Sequence, residues 1–253
     1  MPAPPRLDPA AALFLDVDGT LLEIAPRPDL VRVPRRLPAL LAALAAAQGG
    51  ALALVSGRAL RELDRLLPAW RGAAAGLHGI ERRRADGSLV RSDDAAAAAA
   101  LEALRAPLAA LVRSRRGLFL EDKGGTIALH YRDLPQAEAE IRAVAEALCR
   151  RADPALRLIA GKMVVEFQPR RASKATAIAA FMAEPPFRGR RPVFLGDDTT
   201  DEDGFAEVNR RGGVSVHVGP AVATAARFGL ASVAAALDWL ESGLRGGPAS
   251  GND

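Results

Sequence analysis

Cysteine and long apolar runs are scarce in this sequence. Of its 253 residues one is a cysteine, Cys149, which cannot form a disulfide within the chain. No apolar run reaches the roughly 18 residues that span a membrane. The N-terminal segment lacks the basic stretch and long apolar run of a secretory signal. These absences predict a cytoplasmic protein in a reducing compartment, with no membrane partner.

An excess of charge of one sign is also lacking. The chain has 34 basic and 30 acidic residues, which gives a net charge of +4. The basic run Arg82–Arg84 is short and has no interleaved aromatic residue, unlike a surface on which nucleotides stack. We therefore expect no nucleic-acid partner and interpret the arginines as a solvated surface. Nucleic-acid binding stays as the alternative.

What the sequence does have is an alternation of short apolar runs and helical segments in its two terminal parts. This alternation predicts an α/β fold with a doubly wound parallel sheet. The predicted strands are 11–16, 51–55, 73–77, 193–195 and 214–218.

The middle of the chain follows a different pattern. Two helices are predicted at 93–113 and 134–150, with two hairpins that turn at Gly124-Gly125 and Gly161-Lys162. An antiparallel sheet with two helices is an α+β cap domain inserted into the parallel core. We therefore predict a discontinuous core, 1–79 with 170–253, and an inserted domain at 80–169.

Two aspartates follow the first predicted strand, in LFLDVDGTLL. Asp16 and Asp18 stand where a buried strand leaves the sheet, the edge at which open α/β sheets bind ligands. A simple turn would also use Asp and Gly. However, two carboxylates at the mouth of an apolar core repel each other and require a cation, so we favour a functional site.

A second acidic group follows the strand near residue 194, in FLGDDTTDED. Asp197, Asp198 and Asp201 add oxygen ligands to those of the first motif, whereas Glu202 and Asp203 are explained by capping of a helix start. Hard oxygen ligands without clustered Cys or His indicate Mg²⁺ rather than zinc. The sequence therefore predicts a Mg²⁺ cofactor.

Two further positions have weaker signals. Ser56 ends the second strand, where its hydroxyl and the following backbone N–H groups are placed to hold a phosphoryl oxygen. Lys174 begins a helix, where a cation is mildly unfavourable unless it points into an acidic cleft. A simple strand end and a solvated lysine are the alternative interpretations.

The order Asp-x-Asp, Ser, Lys and acidic cluster resembles the haloacid dehalogenase superfamily over essentially the whole chain. Within it, GLHGIE at Gly76–Glu81 and GDDTTDED at Gly196–Asp203 resemble the trehalose-6-phosphate phosphatase family, as do the segments 121–132 and 161–170. One departure is Ala175, where that family often has glycine; we expect it to affect helix packing and not chemistry.

The resemblance implies a role for each core residue. Asp16 would be the nucleophile that forms an aspartyl-phosphate, and Asp18 the general acid and base. Ser56 and Lys174 would bind phosphoryl oxygens. The metal set would comprise Asp16, the backbone carbonyl of Asp18, Asp197, and Asp201 directly or through water, with Asp198 orienting Lys174 or the metal waters.

The resemblance also implies a sugar-binding face. In the inserted domain the polar residues alternate with apolar ones, so they share one face of the sheet; from periodicity alone this face meets water or sugar equally well. The predicted substrate-binding residues are Gly57, Arg58, His78, Glu121, Lys123, His130, Arg132, Lys162 and Glu166.

By resemblance the substrate is trehalose 6-phosphate, and coupling to a trehalose-phosphate synthase is a further expectation. Two alternatives stay open: the same chemistry on a sucrose- or mannosylglycerate-type phosphate, and a non-catalytic module that regulates a synthase. Intact Asp16, Asp18, Lys174 and Asp197 disfavour the second, because a pseudoenzyme retains them only by chance.

Overall fold

The computed structural model of the chain describes residues 1–25, 30–161 and 163–245. Its internal contacts divide the chain into two units. We call Met1–Arg91 with Ser173–Asp253 the core unit, and Ser92–Ala172 the inserted unit.

An eight-stranded sheet organises the core unit. Its strands, in chain order, are β1 (Ala12–Leu15), β2 (Leu52–Val55), β3 (Ala73–Gly76), β4 (Glu81–Arg83), β5 (Leu89–Arg91), β10 (Pro192–Gly196), β11 (Val214–Val218) and β12 (Phe228–Leu230). They lie in the order β12-β11-β10-β1-β2-β3-β4-β5. The six strands from β12 to β3 are parallel, and β4 and β5 continue the sheet antiparallel.

Helices cover both faces of this sheet. They are α1 (Leu37–Ala47), α2 (Leu60–Leu66), α5 (Lys174–Met182), α6 (Glu202–Arg210) and α7 (Val233–Leu244). Because side chains alternate along a strand, Leu13 and Leu15 of β1 pack in one apolar cluster with α1, α2 and α7. Phe14 packs in the other cluster with α5 and α6. The central strands are buried on both faces and the predicted fold class is confirmed.

Both boundaries of the inserted unit lie later in the chain than the 79/80 and 169/170 expected from the sequence, so the core unit gains the segment before the first and loses a few residues at the second. It includes residues up to Arg91 and resumes at Ser173. The physical reason is the β4–β5 hairpin, which turns at Gly87 with φ +84° and hydrogen-bonds to β3 instead of joining the second sheet.

The inserted unit has a sheet of its own. Its four strands, β6 (Phe119–Asp122), β7 (Ile127–His130), β8 (Leu156–Gly161) and β9 (Val164–Pro169), are antiparallel in the order β6-β7-β9-β8. Helices α3 (Ala95–Ser114) and α4 (Glu138–Ala152) pack on one face of it, around the buried side chains of Leu129, Tyr131 and Phe167. This antiparallel sheet with two helices was predicted and is confirmed.

Helix α3 is the one helix in the described ranges that is long and apolar enough, by length and composition alone, to cross a membrane. Its buried residues, among them Leu101, Leu104 and Leu108, pack in the apolar cluster of the inserted unit. Charged Glu102 and Arg105 interrupt it, and Arg105 binds Asp122 of β6 at 2.6 Å. We therefore interpret α3 as a core helix of this unit.

The fold predicts a large loss of stability when the aromatic cluster beside β1 is truncated. Phe14 is fully buried and stacks on Phe187, with ring centroids 5.4 Å apart. Phe14→Ala should lower the free energy of unfolding in urea by about 3–5 kcal/mol, because it leaves a cavity. The exposed Leu89→Ala should change it by less than about 0.5 kcal/mol. Equal small losses in both variants would contradict this packing.

Candidate active site

The carboxyl edge of the core sheet brings the chemically active side chains together. Asp16 follows β1, Ser56 follows β2 and Asp197 follows β10, and these three strands are neighbours in the sheet. Parallel strands place their carboxyl ends at one edge, so residues distant in the chain meet there. Lys174 enters the same group from the first turn of α5.

Lys174 is the centre of this group. Its Nζ lies 2.6 Å from Oδ1 of Asp16 and 2.5 Å from Oδ1 of Asp201, and all three residues are buried. Burial lowers the pKa of the Lys174 ammonium, but the charges of Asp16 and then Asp201 outweigh that effect and raise the pKa above its ordinary value. Lys174 is therefore a cation at every physiological pH.

Asp201 is fully occupied by protein donors. While Oδ1 accepts from Lys174, Oδ2 accepts from the backbone N–H groups of Asp197 and Asp198, each at 3.0 Å. A side chain on Gly196 would overlap this carboxylate, with its Cβ 2.4 Å from Cγ of Asp201. Asp201 thus fixes both the lysine and the loop after β10.

Asp198 has a different environment from the one expected. It is exposed, and its Oδ1 accepts from the backbone N–H of Thr199 at 2.7 Å, a helix-capping contact. Asp201, and not Asp198, contacts Lys174.

Three carboxylates crowd one spot at this edge. Asp16, Asp197 and Asp201 each offer an oxygen, and these oxygens lie within 4.8 Å of one another. Burial is the main cause that raises the pKa of Asp16 to about 7, with Lys174 opposing it. Burial and the charge of Asp16 raise the pKa of Asp197 to about 9. Crowded, desolvated carboxylates of this kind fit a hard divalent cation.

Two residues beside the first motif support Asp197, and the sequence reasoning missed both. Gly19 has φ +84°, and a Cβ there would lie 1.9 Å from Oδ2 of Asp197. The buried hydroxyl of Thr20 donates to Oδ1 of Asp197 at 3.4 Å. Only glycine at position 19 lets the two acidic loops approach each other. The glycine after Asp18 in the sequence Asp-Gly-Thr was the signal that could have indicated this.

Asp18 points at a guanidinium. Arg58 binds it in bidentate fashion, with Nε 2.6 Å from Oδ2 and Nη2 2.7 Å from Oδ1. The backbone N–H of Arg58 also donates to Oγ of Ser56 at 3.1 Å, and Ser56 is buried. The predicted residues of both motifs therefore form one connected group.

His78 lies against the loop after β2. Leu77 and His78 have φ of +49° and +55°, a left-handed conformation that costs free energy in non-glycine residues. The backbone N–H of His78 donates to the carbonyl of Ser56 at 3.0 Å. A Cβ on Gly57 would lie 2.8 Å from Nε2 of His78, so the ring occupies the space that this glycine leaves.

The predicted sugar-binding residues of the inserted unit share the sheet face opposite α3 and α4. Lys123 Nζ lies 3.2 Å from Oε2 of Glu166, and His130 Nε2 lies 3.0 Å from Oε2 of Glu121. Exposed Phe119, which the sequence reasoning missed, adds an aromatic ring 5.6 Å from that of His130. Two predicted residues fall elsewhere: Arg132 lies in the turn after β7, and Lys162 lies outside the described residues.

Comparisons with known proteins agree on one family. The model of the family described as trehalose-phosphatase matches residues 14–234. A probable trehalose-phosphate phosphatase from Sinorhizobium fredii is 48% identical over 89% of this chain and 84% of its own. The trehalose-6-phosphate phosphatase of Escherichia coli is 47% identical over 94% and 88%. A haloacid dehalogenase-like hydrolase from Bacteroides thetaiotaomicron shares the fold, with TM-score 0.67, 14% identity and coverage of 92% and 98%.

The carboxylate cluster predicts that Mg²⁺ stabilises the protein more as pH rises. Asp16 and Asp197 have folded-state pKa values of about 7 and about 9, above the ordinary 3.8. The metal-free protein therefore loses stability as pH rises from about 4 through these values, because the cluster must shed protons that the unfolded chain has already lost. A cation that replaces these protons offsets the loss.

The measurement is the rise in unfolding temperature on adding about 10 mM Mg²⁺, a saturating concentration for a millimolar site. The rise should be larger near pH 9 than near pH 6 in the unaltered protein, and it should be abolished in Asp197→Asn. The exposed Asp238→Asn serves as the matched control. A shift of the same size at both pH values, or one that survives in Asp197→Asn, would contradict the assignment.

Proposed function

Because the chain belongs to the trehalose-phosphatase family, we propose that it hydrolyses trehalose 6-phosphate to trehalose and inorganic phosphate. It is a phosphoric monoester hydrolase by family. The observation that carries the proposal is the buried ammonium of Lys174 between Asp16 and Asp201, beside Asp197 at the carboxyl edge of the sheet. This arrangement suits a nucleophilic carboxylate that must meet an anionic phosphate.

We propose Mg²⁺ as the cofactor. The carboxylates of Asp16 and Asp197 and the backbone carbonyl of Asp18 would hold it. The bound ion would supply positive charge that screens the repulsion between the anionic nucleophile and the anionic substrate. Asp201 would act on it through water or only as a positioning group, because both of its oxygens accept hydrogen bonds from protein donors.

In the first proposed step Asp16 attacks the phosphorus atom. Lys174 engages Oδ1 of Asp16, so we assign the attack to Oδ2. The new bond joins Oδ2 to phosphorus, and the bond from phosphorus to the sugar oxygen breaks. Asp18 donates a proton to that departing oxygen, which leaves as the hydroxyl of trehalose.

In the second step water hydrolyses the aspartyl-phosphate. Asp18, now a carboxylate, takes a proton from the water molecule while the oxygen of that water attacks phosphorus. The bond from phosphorus to Oδ2 breaks, which restores Asp16 and releases phosphate. Lys174, the Ser56 hydroxyl and the backbone N–H of Gly57 would hold the remaining phosphoryl oxygens as charge shifts onto them.

Arg58 adds a constraint to this cycle. Because it binds both carboxylate oxygens of Asp18, Asp18 must leave this ion pair before it exchanges a proton with the sugar oxygen. We propose that the substrate phosphate replaces Asp18 as the partner of Arg58. His78, packed on Gly57, would keep the loop in the conformation that this exchange requires.

The inserted unit is proposed to select the sugar. Its polar face presents the pairs Lys123–Glu166 and His130–Glu121, and Oε1 of Glu166 is buried without a hydrogen-bond partner among the described residues. Hydroxyl groups of a disaccharide would satisfy such atoms, and the exposed ring of Phe119 would pack on a sugar C–H face. Arg132, in the turn after β7, and Lys162 remain proposed substrate-binding residues.

Three wider expectations stay proposals. A cytoplasmic location and the absence of nucleic-acid and membrane partners rest on the composition of the sequence, and functional coupling to a trehalose-phosphate synthase rests on the family alone. The alternative of another sugar phosphate is tested below with a panel of sugar phosphates, on which selective hydrolysis of trehalose 6-phosphate is expected. The alternative of a regulatory module is disfavoured by the assembled Asp16, Lys174 and Asp197 group.

The chemistry is tested by phosphate release from a panel of sugar phosphates with Mg²⁺. Asp16→Asn should lose at least about 1,000-fold in kcat, because the amide is a poor nucleophile. Asp198→Asn, at an exposed neighbour whose carboxylate caps the turn after β10, should lose less than about tenfold. Full activity in Asp16→Asn would rule out this nucleophile, and inactivity of the folded unaltered protein on every sugar phosphate would favour the regulatory module.

The sugar-binding face is tested by comparing two substrates. Glu166→Gln should lower kcat/KM for trehalose 6-phosphate by about 10- to 100-fold, because a charged hydrogen bond to the sugar is lost. It should leave hydrolysis of p-nitrophenyl phosphate, which has no sugar, unchanged. Glu140→Gln on α4 is the matched control, since Glu140 pairs with Arg115 on the surface. An equal loss on both substrates would mean that Glu166 acts only on folding or chemistry.

A further inference from the structure

Glu81, the last residue of the segment Gly76–Glu81, has no part in the proposed reaction, yet it is a buried acid of the core unit. It begins β4, and its side chain is only 10% exposed. A buried carboxylate is costly unless close donors satisfy its oxygens. Its Oε1 pairs with Arg91 of β5 at 2.5 Å, and its Oε2 accepts from the backbone N–H of Leu60 at 3.1 Å. The second contact reaches the end of the loop that carries Arg58.

Leu60 is the first residue of α2, and this helix start has a poor local cap. The N-cap residue is Ala59, whose side chain has no oxygen, and alanine is among the least favourable residues at that position. Glu62 accepts from the backbone N–H of Ala59 at 3.3 Å. The N–H of Leu60 has no partner within its own helix, and Glu81 supplies the acceptor from 21 positions later in the chain. A tertiary contact therefore fixes the start of α2, two residues after Arg58.

The backbone of the same segment holds the loop after β2 at two more points. The N–H of Leu77 donates to the carbonyl of Arg58 at 2.9 Å, and that of His78 donates to the carbonyl of Ser56 at 3.0 Å. Gly76 lies so close to this loop that a Cβ there would be 2.8 Å from the carbonyl oxygen of Arg58. The loop is therefore fixed by backbone contacts up to Arg58, and the carboxylate fixes the turn that follows.

We propose that Glu81 is a positioning residue for Arg58. By holding the N–H of Leu60, its carboxylate fixes the backbone from which the Arg58 side chain extends to Asp18. The guanidinium reaches both carboxylate oxygens of Asp18, at 2.6 and 2.7 Å, and a backbone shift of about 1 Å would break this geometry. The kinetic consequence rests on the proposed function, in which Arg58 becomes the partner of the substrate phosphate.

A purely structural role of Glu81 is the alternative, and Asp64 on the same helix provides the matched control. Arg83 lies on the same face of β4 as Glu81, is buried, and pairs with Asp64 of α2 at 2.6 Å. Asp64→Ala therefore removes a second contact between β4 and α2. Asp64 lies one helical turn beyond Leu60, so its loss should lower the unfolding temperature and leave the loop in place.

The exchange of the Arg58 Nε–H group with water, measured by NMR, tests the positioning without turnover. Nε donates to Asp18, so this signal should exchange slowly, and Arg58→Lys assigns it by its loss. In Glu81→Ala the exchange should be at least about tenfold faster, because the N–H group opens to water. In Asp64→Ala, and in Glu81→Gln, whose amide oxygen still accepts from Leu60, it should change by less than about twofold. Unchanged exchange in Glu81→Ala would overturn the proposal.

Kinetics with Mg²⁺ test whether this positioning serves the reaction. Glu81→Ala should lower kcat/KM for p-nitrophenyl phosphate by at least about tenfold, because it misplaces a group that binds the phosphate. In the Arg58→Ala background the same substitution should cost less than about twofold more, because residues that act through one another are not additive. Glu81→Gln should recover most of the activity. A full additional loss in the double variant, or an equal loss in Asp64→Ala, would show a structural role and contradict the proposal.

The two measurements separate this proposal from the proposed function. Inactivity of the unaltered protein on every phosphate ester would refute the proposed function, and the Arg58 signal would still decide whether Glu81 positions that side chain. Turnover together with an unchanged Arg58 signal in Glu81→Ala would refute the positioning alone. Glu81→Leu, which fills the space of the glutamate and accepts no hydrogen bond, takes the place of Glu81→Ala if the latter does not fold, and the same changes are expected in it.

Discussion

The rest of the core unit depends on one buried contact, the Lys174 ammonium held between the carboxylates of Asp16 and Asp201. Three buried charges are tolerated only when they compensate each other at close range, and here the Nζ–oxygen distances are 2.6 and 2.5 Å. The contact joins β1, the start of α5 and the loop after β10. It therefore fixes the three chain segments that a phosphoryl group would have to meet.

Lys174 compensates the negative charge of these carboxylates only in part, and the proposed chemistry depends on the remaining negative charge. Asp197 adds another carboxylate to a site where one lysine cannot neutralise all of them, and burial raises the pKa of Asp16 and Asp197. The site needs more positive charge than the protein provides. Glycine at positions 19 and 196 is the steric condition for this crowding, because a Cβ at either position would overlap a carboxylate. A divalent cation would supply that charge and so reduce the repulsion that an anionic substrate meets there.

Much of this was predictable because it depends on local signals. Short apolar runs that end in acidic residues located β1 and β10, and glycine turns located the hairpins of the inserted unit. The β4–β5 hairpin was assigned to the wrong side of the boundary, since an arginine-rich pair of three-residue strands does not reveal which sheet it joins. Strand β12 was not predicted, because its three residues, Phe228–Leu230, are too few to show the alternation of apolar and polar side chains or the apolar run of a strand.

The missed features of the site depend on tertiary packing. That Lys174 pairs with Asp201 and not with Asp198 follows from the position of α5 against the loop after β10, and the sequence spacing allowed either. The support of Asp197 by Thr20 joins residues 177 positions apart, and neither residue alone signals it. The bidentate contact of Arg58 with Asp18 is likewise a product of the parallel order of β1 and β2.

Trapping the phosphorylated enzyme tests the central claim most directly. Trehalose 6-phosphate labelled with ³²P would be mixed with excess enzyme and Mg²⁺ and quenched in acid within milliseconds. The account predicts transient label on the peptide that contains Asp16, released by hydroxylamine and absent in Asp16→Asn. Phosphate release with label on another residue, or with no labelled protein at any time, would contradict it.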